Sequence, residues 1–148
     1  MATCGDVMTR EPACCEPADS IERIAQLMKS EDIGAVPVVE SKTSRKLVGI
    51  VTDRDVVVKV LASGRAVGHA TVQDAMTKDP VTCREDADVS EAVARMAERK
   101  VRRIPIVDRG GALQGIIAQA DIATRVQRDK TTGELVEAIS EPGTVRKG

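Results

Sequence analysis

Residues 35–55 read AVPVVESKTSRKLVGIVTDRD, and residues 103–121 repeat the same pattern as RIPIVDRGGALQGIIAQAD. In both stretches two short apolar runs flank a polar turn, and a helical pattern begins where the second run ends. Short apolar runs bounded by polar turn residues are typical of β-strands joined as a hairpin. The fold is therefore decided by a strand–turn–strand unit that the chain uses twice.

The duplication extends over most of the chain. Pro37 matches Pro105, 68 positions later, and Asp55 matches Asp121, 66 positions later, because the turn of the first copy is two residues longer. A single duplication at this spacing predicts two modules related by a pseudo-twofold axis. Ligand clefts are then expected between the two halves.

Each copy carries a one-sided helix before its hairpin. Apolar residues recur at positions i, i+3, i+4 and i+7 over residues 21–28 and again over residues 89–96. This spacing predicts an amphipathic helix with one buried face. Ser20 and Asp88 precede the two patterns and are typical N-cap residues.

A second helix is predicted after each hairpin, over residues 54–62 and 120–128. A short first strand is also predicted around Cys14 and Cys15 in the first copy and around Cys83 in the second. Each copy then follows the order β-α-β-β-α, which indicates a mixed α/β (α+β) fold whose helices cover at least one face of a sheet. The predicted divisions of the chain are a first domain at residues 1–63, a linker at 64–73, a second domain at 74–129 and a tail at 130–148.

The composition restricts the classes of partner. The 148 residues include no Phe, Tyr or Trp, so the core must be aliphatic, and the aromatic platforms that stack single-stranded bases are absent. A net charge of −1 gives no overall attraction to nucleic acid or to an anionic membrane. The sequence has no apolar run long enough for a membrane span, and its start, MATCGDVMTREPACC, does not resemble a signal peptide. We therefore expect a cytoplasmic protein that binds neither nucleic acid nor membrane.

The chain resembles a tandem pair of CBS domains, the regulatory module named after cystathionine β-synthase. The resemblance rests on the D-x-M-T-x-x-P motif at residues 6–12 and 74–80, on the V-P-V-V and I-P-I-V strands, and on G-I-V-T-D-R-D at residues 49–55. It covers residues 5–128 and is strongest to stand-alone bacterial CBS-pair proteins, including those induced by low oxygen or stress. It implies an adenosyl ligand (AMP, ADP, ATP or S-adenosylmethionine) in clefts between the repeats, and a homodimer formed through the helices.

Two residues of the G-I-V-T-D-R-D segment are candidates for binding that ligand. A strand ends and a helix begins here, so free backbone N–H groups and the helix dipole would meet a phosphate. The Thr52 hydroxyl would bind phosphate or ribose, and the two oxygens of Asp55 would accept from both ribose hydroxyls. The alternative is that both residues only cap the helix, since Thr and Asp are preferred caps. The resemblance favours the ligand.

The second copy differs at the matching position. It keeps Asp121 but has Ala118 in place of the threonine, so this site is expected to bind phosphate less well, or to be vestigial. Basic residues precede its I-P-I-V strand, where the family often places side chains that face a phosphate. Of these we favour Arg103, then Arg102, because the planar guanidinium binds oxyanions through two donors. The alternative is an ordinary solvated charged face.

The cysteines and the histidine suggest no catalytic or metal site. The four cysteines lack C-x-x-C spacing, so neither a metal centre nor a disulfide is predicted. Cys14 and Cys15 are neighbours on a predicted strand, so only one should face the core, and the other would be exposed and oxidisable. His69 lies in the predicted linker and is expected at the surface.

No enzyme signature is present in the sequence. The chain has no P-loop, no H-E-x-x-H and no G-x-S-x-G motif, so neither a catalytic residue nor a catalytic cofactor is expected. We therefore expect a regulatory binding module that passes ligand occupancy to a separate, unidentified protein. The alternative is a stress-related structural or interaction protein whose nucleotide clefts are empty.

Overall fold

The computed structural model describes residues 2–132, with side chains described through residue 125. In chain order its elements are α1 (Cys4–Val7), β1 (Thr9–Arg10), α2 (Ile21–Glu31), β2 (Ala35–Val39), β3 (Leu47–Thr52), α3 (Asp53–Asp55), a π-helix (Val56–Leu61), a 3₁₀ turn (Val67–His69), α4 (Val72–Ala75), β4 (Thr77–Lys78), β5 (Cys83–Arg84), α5 (Val89–Arg99), β6 (Arg103–Val107), β7 (Leu113–Ala118) and α6 (Gln119–Thr132). Of the predicted tail, residues 133–148 lie outside the described residues.

The described residues divide into two compact units. The first-repeat unit comprises residues 12–80 and 110–113, and the second-repeat unit comprises residues 2–11, 81–109 and 114–132. The units do not follow the repeat boundaries of the sequence. Residues 2–11 of the first copy pack in the second-repeat unit, and residues 74–80 of the second copy pack in the first-repeat unit. The domain limits given above, residues 1–63 and 74–129, remain a prediction.

Both units contain the two strands of the predicted hairpin. In the first-repeat unit β2 pairs antiparallel with β3, as expected for a hairpin, and the sheet order is β2-β3-β4. In the second-repeat unit the order is β1-β7-β6-β5, with β5 parallel to β6. The mixed α/β fold class is thus confirmed, and the short first strand predicted in the first copy is reduced to a single parallel bridge between Cys15 and Val38.

The outer strands come from the two Met-Thr segments, residues 6–12 and 74–80. Strand β1 of the first copy pairs with β7 in the second-repeat unit, and β4 of the second copy pairs with β3 in the first-repeat unit. Each pairing extends for only two residues. The Met-Thr motif therefore adds an edge strand to the sheet of the unit formed by the other copy.

The glycines of the repeated G-I motifs make room for these segments. A Cβ on Gly49 would lie 2.8 Å from the carbonyl oxygen of Thr77. A Cβ on Gly115 would lie 2.5 Å from the sulfur of Met8 and 2.7 Å from the carbonyl oxygen of Thr9. Real Cβ atoms do not approach other atoms this closely, so each Met-Thr segment crosses its glycine at a distance that no other residue allows.

The two long helices begin and end at matching positions. Ser20 accepts a hydrogen bond from the backbone N–H of Arg23 at 3.1 Å, and Asp88 accepts one from Ser90 at 2.8 Å, which confirms the predicted N-caps. Both helices end at a residue in the left-handed conformation, Asp32 for α2 and Lys100 for α5. Along residues 2–132 no helix has both the length and the apolar surface that crossing a bilayer requires.

The helix after the first hairpin differs from the prediction. A regular helix was expected over residues 54–62, but after α3 the chain forms the π-helix Val56–Leu61, with the N–H of Ala62 donating to the carbonyl of Val57. Its side chains Val57, Val58 and Leu61 are about half exposed. The matching helix of the second copy, α6, begins at residue 119 and is longer than predicted.

The core is aliphatic, as the absence of aromatic residues requires. Each unit has its own cluster of buried Val, Ile, Ala, Met and Cys side chains. Cys15 is buried while Cys14 is partly exposed, so the prediction that only one of them faces the core is confirmed. Burial raises the pKa of Cys15 and of Cys4 to about 12, which keeps both as neutral thiols. His69 is exposed, as predicted.

Candidate functional site

Thr52 and Asp55 form a reciprocal cap at the start of α3. The Thr52 hydroxyl accepts from the backbone N–H of Asp55 at 3.1 Å, and Asp55 Oδ2 accepts from the backbone N–H of Thr52 at 2.9 Å. This is the capping box that a Thr-x-x-Asp sequence predicts at a helix start. The capping role is therefore present, and a ligand would have to bind a turn whose shape is already fixed.

The backbone N–H groups of this turn are not free, which corrects the expectation of an open phosphate site. Asp53 donates to the carbonyl of Gly34 at 3.0 Å, and Arg54 donates to the side chain of Asp53 at 2.8 Å. The N–H of Asp55 is held by the Thr52 hydroxyl. Because all three donors of the first turn have acceptors within the chain, a phosphate here would need a cationic side chain instead.

The Asp55 carboxylate retains capacity for further hydrogen bonds. Oδ2 accepts from Thr52, and Oδ1 pairs with the ammonium of Lys59 at 3.2 Å. A carboxylate has about four lone-pair sites, so roughly one on each oxygen remains. The side chain is only 14% exposed, which limits its freedom to rotate. Both oxygens of Asp55 are therefore held in place, and each has an acceptor position left.

Sequence reasoning missed Lys59. Its ammonium binds Asp55 and also donates to the carbonyl of Ala75 at 3.1 Å. The i, i+4 spacing of Asp55 and Lys59 was the available signal, because residues four apart in a helix lie on one face. The contact with Ala75 has no local signal, since the two residues lie 16 positions apart.

The second-repeat unit places the remaining candidates around the matching turn. Asp121 accepts from the backbone N–H of Ala118 at 3.0 Å, so half of the capping box survives without the threonine. Gln119 donates its N–H to the carbonyl of Arg102 at 2.8 Å, which brings the basic stretch beside this turn. Arg102 is exposed and Arg103 is partly buried on β6. Thus Asp121, Arg102 and Arg103 belong to one unit, while Thr52 and Asp55 belong to the other.

Other turns in the chain use the same cap without any predicted ligand role. Asp6 accepts the N–H of Thr3 at 2.9 Å, and Asp74 accepts the N–H of Thr71 at 2.9 Å. These hydrogen bonds hold the pKa of Asp6 and of Asp74 below the ordinary value of 3.8. They supply matched controls for Asp55, because their carboxylates fill the same local position.

Among residues 2–132 no group of three or more His, Cys, Asp or Glu side chains is arranged to hold a metal ion. The four cysteines are free thiols. The described chemistry of the candidate site is therefore that of hydrogen-bond acceptors and cations around two helix-initiating turns.

Comparison with known proteins identifies the repeated module. The family model described as "CBS domain" matches residues 4–62 and 72–128. Hypoxic response protein 1 of Mycobacterium tuberculosis is 32% identical over 142 residues, which cover 96% of this chain and 96% of that protein. The match includes both copies of the repeat and almost the whole of each chain.

Two solved structures with bound small molecules have similar folds. The structure of CBSX2 in complex with AMP has a TM-score of 0.78 and 25% identity, covering 88% of this chain and 99% of that one. CBSX2 is a CBS-pair protein from Arabidopsis thaliana. The CBS domain pair of protein MJ0100, in complex with 5-methylthioadenosine and S-adenosyl-L-methionine, has a TM-score of 0.75 and 27% identity, covering 88% and 98%.

Proposed function

Because this chain belongs to the CBS domain family, we propose that it is a ligand-sensing regulatory protein that binds an adenosyl ligand at the turn of Thr52 and Asp55. The ligand class comprises AMP, ADP, ATP and S-adenosylmethionine. The observation that carries the proposal is the Asp55 carboxylate, held on both oxygens and retaining an acceptor site on each. Ribose presents two neighbouring hydroxyls, which is the donor pattern that such a carboxylate fits.

The related structures support the ligand class. CBSX2 was solved with AMP, and the MJ0100 CBS pair with 5-methylthioadenosine and S-adenosyl-L-methionine. These molecules share adenine and ribose but differ in the group at the 5′ position. A site that recognises the ribose through a carboxylate accepts all of them, because it depends on the part that they share.

We expect the second site to differ in preference. Asp121 retains the carboxylate, and Arg102 and Arg103 add positive charge in the same unit, while Ala118 removes a hydroxyl. The Asp121 site would therefore recognise ribose by the same chemistry, with a guanidinium as its phosphate ligand. The Thr52 and Asp55 site is proposed as the stronger of the two.

The last part of the proposal concerns how ligand binding would affect another protein. We propose that occupancy acts on a separate protein, in which case the coupling between ligand and partner is reciprocal. We propose a cytoplasmic homodimer that responds to a stress condition, in line with the hypoxic response relative. The exposed apolar side chains Val57, Val58 and Leu61 of the π-helix are consistent with a protein contact.

Isothermal titration calorimetry with two paired changes tests the ribose assignment. The first change is Asp55→Asn, which keeps an acceptor for the Thr52 N–H but replaces the other oxygen with a donor group. The second is 2′,3′-dideoxy-AMP in place of AMP, which removes both hydroxyls. Each change alone should weaken binding about 10-fold or more, because hydrogen bonds to a charged group contribute about 1.5–3 kcal/mol. Together they should weaken it little further, since both remove the same contact.

Asp6→Asn is the matched control, because it alters the same position of another capping box. It should leave AMP affinity unchanged. Equal and additive losses from Asp55→Asn and from the dideoxy ligand would mean that the hydroxyls bind elsewhere.

A structural protein without a ligand is the second candidate function. The observation that favours it is the complete capping box, which explains Thr52 and Asp55 without a nucleotide. Absence of heat and of any thermal shift with AMP, ATP and S-adenosylmethionine at millimolar concentration would establish this alternative.

A further inference from the structure

Lys59 joins the candidate site to a segment of the second copy. Its ammonium lies 3.2 Å from Asp55 Oδ1 and 3.1 Å from the carbonyl oxygen of Ala75, the last residue of α4. An ammonium has three N–H donors, so two are used in these contacts. One side chain therefore bridges the carboxylate that would hold the ribose and the end of α4.

Helix α4 leads directly into the second Met-Thr segment. The N–H of Met76 donates to the carbonyl of Val72 at 2.8 Å, and Thr77 then pairs with β3 at Ile50. A cation at the C-terminal end of a helix is favourable because it meets unpaired carbonyl groups there. Loss of the Lys59 contact would therefore loosen the point where the chain leaves α4 for the second copy.

The second copy carries a different cation at the position that matches Lys59. Arg125 matches Lys59, since each lies four positions after its site aspartate. In α1, the counterpart of α4, the pKa of Asp6 is lowered mainly by its hydrogen bonds with Thr3, and the positive charge of Arg125 lowers it further. Both copies therefore carry a cation four positions after the site aspartate.

We propose that Lys59 is a positioning residue that couples ligand occupancy at Asp55 to the stability of α4 and the second Met-Thr segment. The inference rests on the proposed function. A ligand over Asp55 excludes water from the Lys59 ion pair, which is 43% exposed on the lysine side, and an ion pair strengthens when the surrounding dielectric falls. A more firmly held ammonium also holds the Ala75 carbonyl, so binding should tighten residues 72–80.

Amide hydrogen exchange of residues 72–80, measured with and without AMP, tests this coupling on the full chain. In the wild-type protein AMP should slow the exchange about fivefold or more, the low end of typical coupling. Lys59→Met keeps most of the length of the side chain but removes the ammonium donor. It should abolish the effect of AMP on exchange and, by reciprocity, weaken AMP binding by the same factor. Lys59→Arg should restore both, as Arg125 occupies the matching position.

Lys29→Met is the control, because Lys29 is an exposed lysine near the end of α2. It should behave like the wild type. A merely structural role for Lys59 predicts faster exchange in Lys59→Met while AMP still slows it, which would overturn the coupling. Wild-type binding of AMP with no change at residues 72–80 would also overturn the coupling but leave the proposed function intact. Failure of the wild type to bind AMP would overturn both.

Discussion

Replacing Thr52 with Ala isolates the stabilising effect of the threonine hydroxyl at the candidate turn. The substitution removes one hydrogen bond, from the N–H of Asp55 to Thr52 Oγ1 at 3.1 Å. The other half of the box should persist, because Ala118 in the second copy still donates its N–H to Asp121 at 3.0 Å. The expected loss is therefore that of a single cap, about 1 kcal/mol within a usual range of about 0.5–2 kcal/mol.

The size of the effect on Tm follows from the length of the chain. An unfolding entropy of about 2.1 cal/mol/K per residue gives about 0.3 kcal/mol/K for this protein, so 1 kcal/mol lowers Tm by about 3 °C. Far-UV circular dichroism is the suitable probe. The chain has no Trp or Tyr, so unfolding produces no change in intrinsic fluorescence. A urea titration of the same variant gives the loss at constant temperature.

The reverse substitution, Ala118→Thr, completes the box that the second copy lacks. It should raise the free energy of unfolding by about 0.5–1 kcal/mol, since the N–H of Asp121 gains an acceptor. Opposite signs for the two variants would support the stabilising effect of the threonine hydroxyl. It would be refuted if Thr52→Ala left stability unchanged within about 0.3 kcal/mol, or if Ala118→Thr destabilised the protein.

Three further predictions concern packing, pH and the thiols. Gly115→Ala should cost about 1–3 kcal/mol in a urea titration, because its Cβ would overlap Met8, whereas Gly68→Ala, which has open space, should be near neutral. Backbone hydrogen bonds lower the pKa of Asp6, Asp74 and Asp88, so their stabilisation is complete above the ordinary value of 3.8 and is lost as pH falls through their folded values. The urea midpoint should drop on acidification below about pH 4, and less steeply when all three are Asn. In the native protein Ellman's reagent should label one thiol, Cys14, and the three buried thiols only after unfolding.

Much of the fold could be predicted because its signals are local. The strands around Pro37 and Pro105 follow from short apolar runs between polar turns, and the caps at Ser20 and Asp88 from residue type and position. A repeated pattern also fixes the order of elements twice, so each copy supports the interpretation of the other. The prediction that only one of Cys14 and Cys15 faces the core needed only the alternation of side chains along a strand, which does not decide which of the two is buried.

The features that the sequence did not predict depend on contacts between distant residues. The π-helix at VVVKVL has no distinguishing composition, because its hydrogen bonds shift from i+4 to i+5 without a change of residue type. The sequences of the two Met-Thr segments do not show which unit each segment joins. Their placement depends on the close packing against Gly49 and Gly115. At the candidate site, the carbonyl of Gly34 accepts a hydrogen bond from the backbone N–H of Asp53. The local sequence gives no sign of this acceptor, because Gly34 lies on the other side of the hairpin.

The most direct test of ribose binding by Asp55 is a crystal structure of the protein grown with millimolar AMP. We expect AMP at the first-repeat turn, with its 2′ and 3′ hydroxyls at about 2.6–3.0 Å from the two oxygens of Asp55. The Thr52 capping box should be unchanged, since binding uses the remaining acceptor sites. Electron density without AMP at this turn, or AMP bound with its ribose away from Asp55, would contradict the claim.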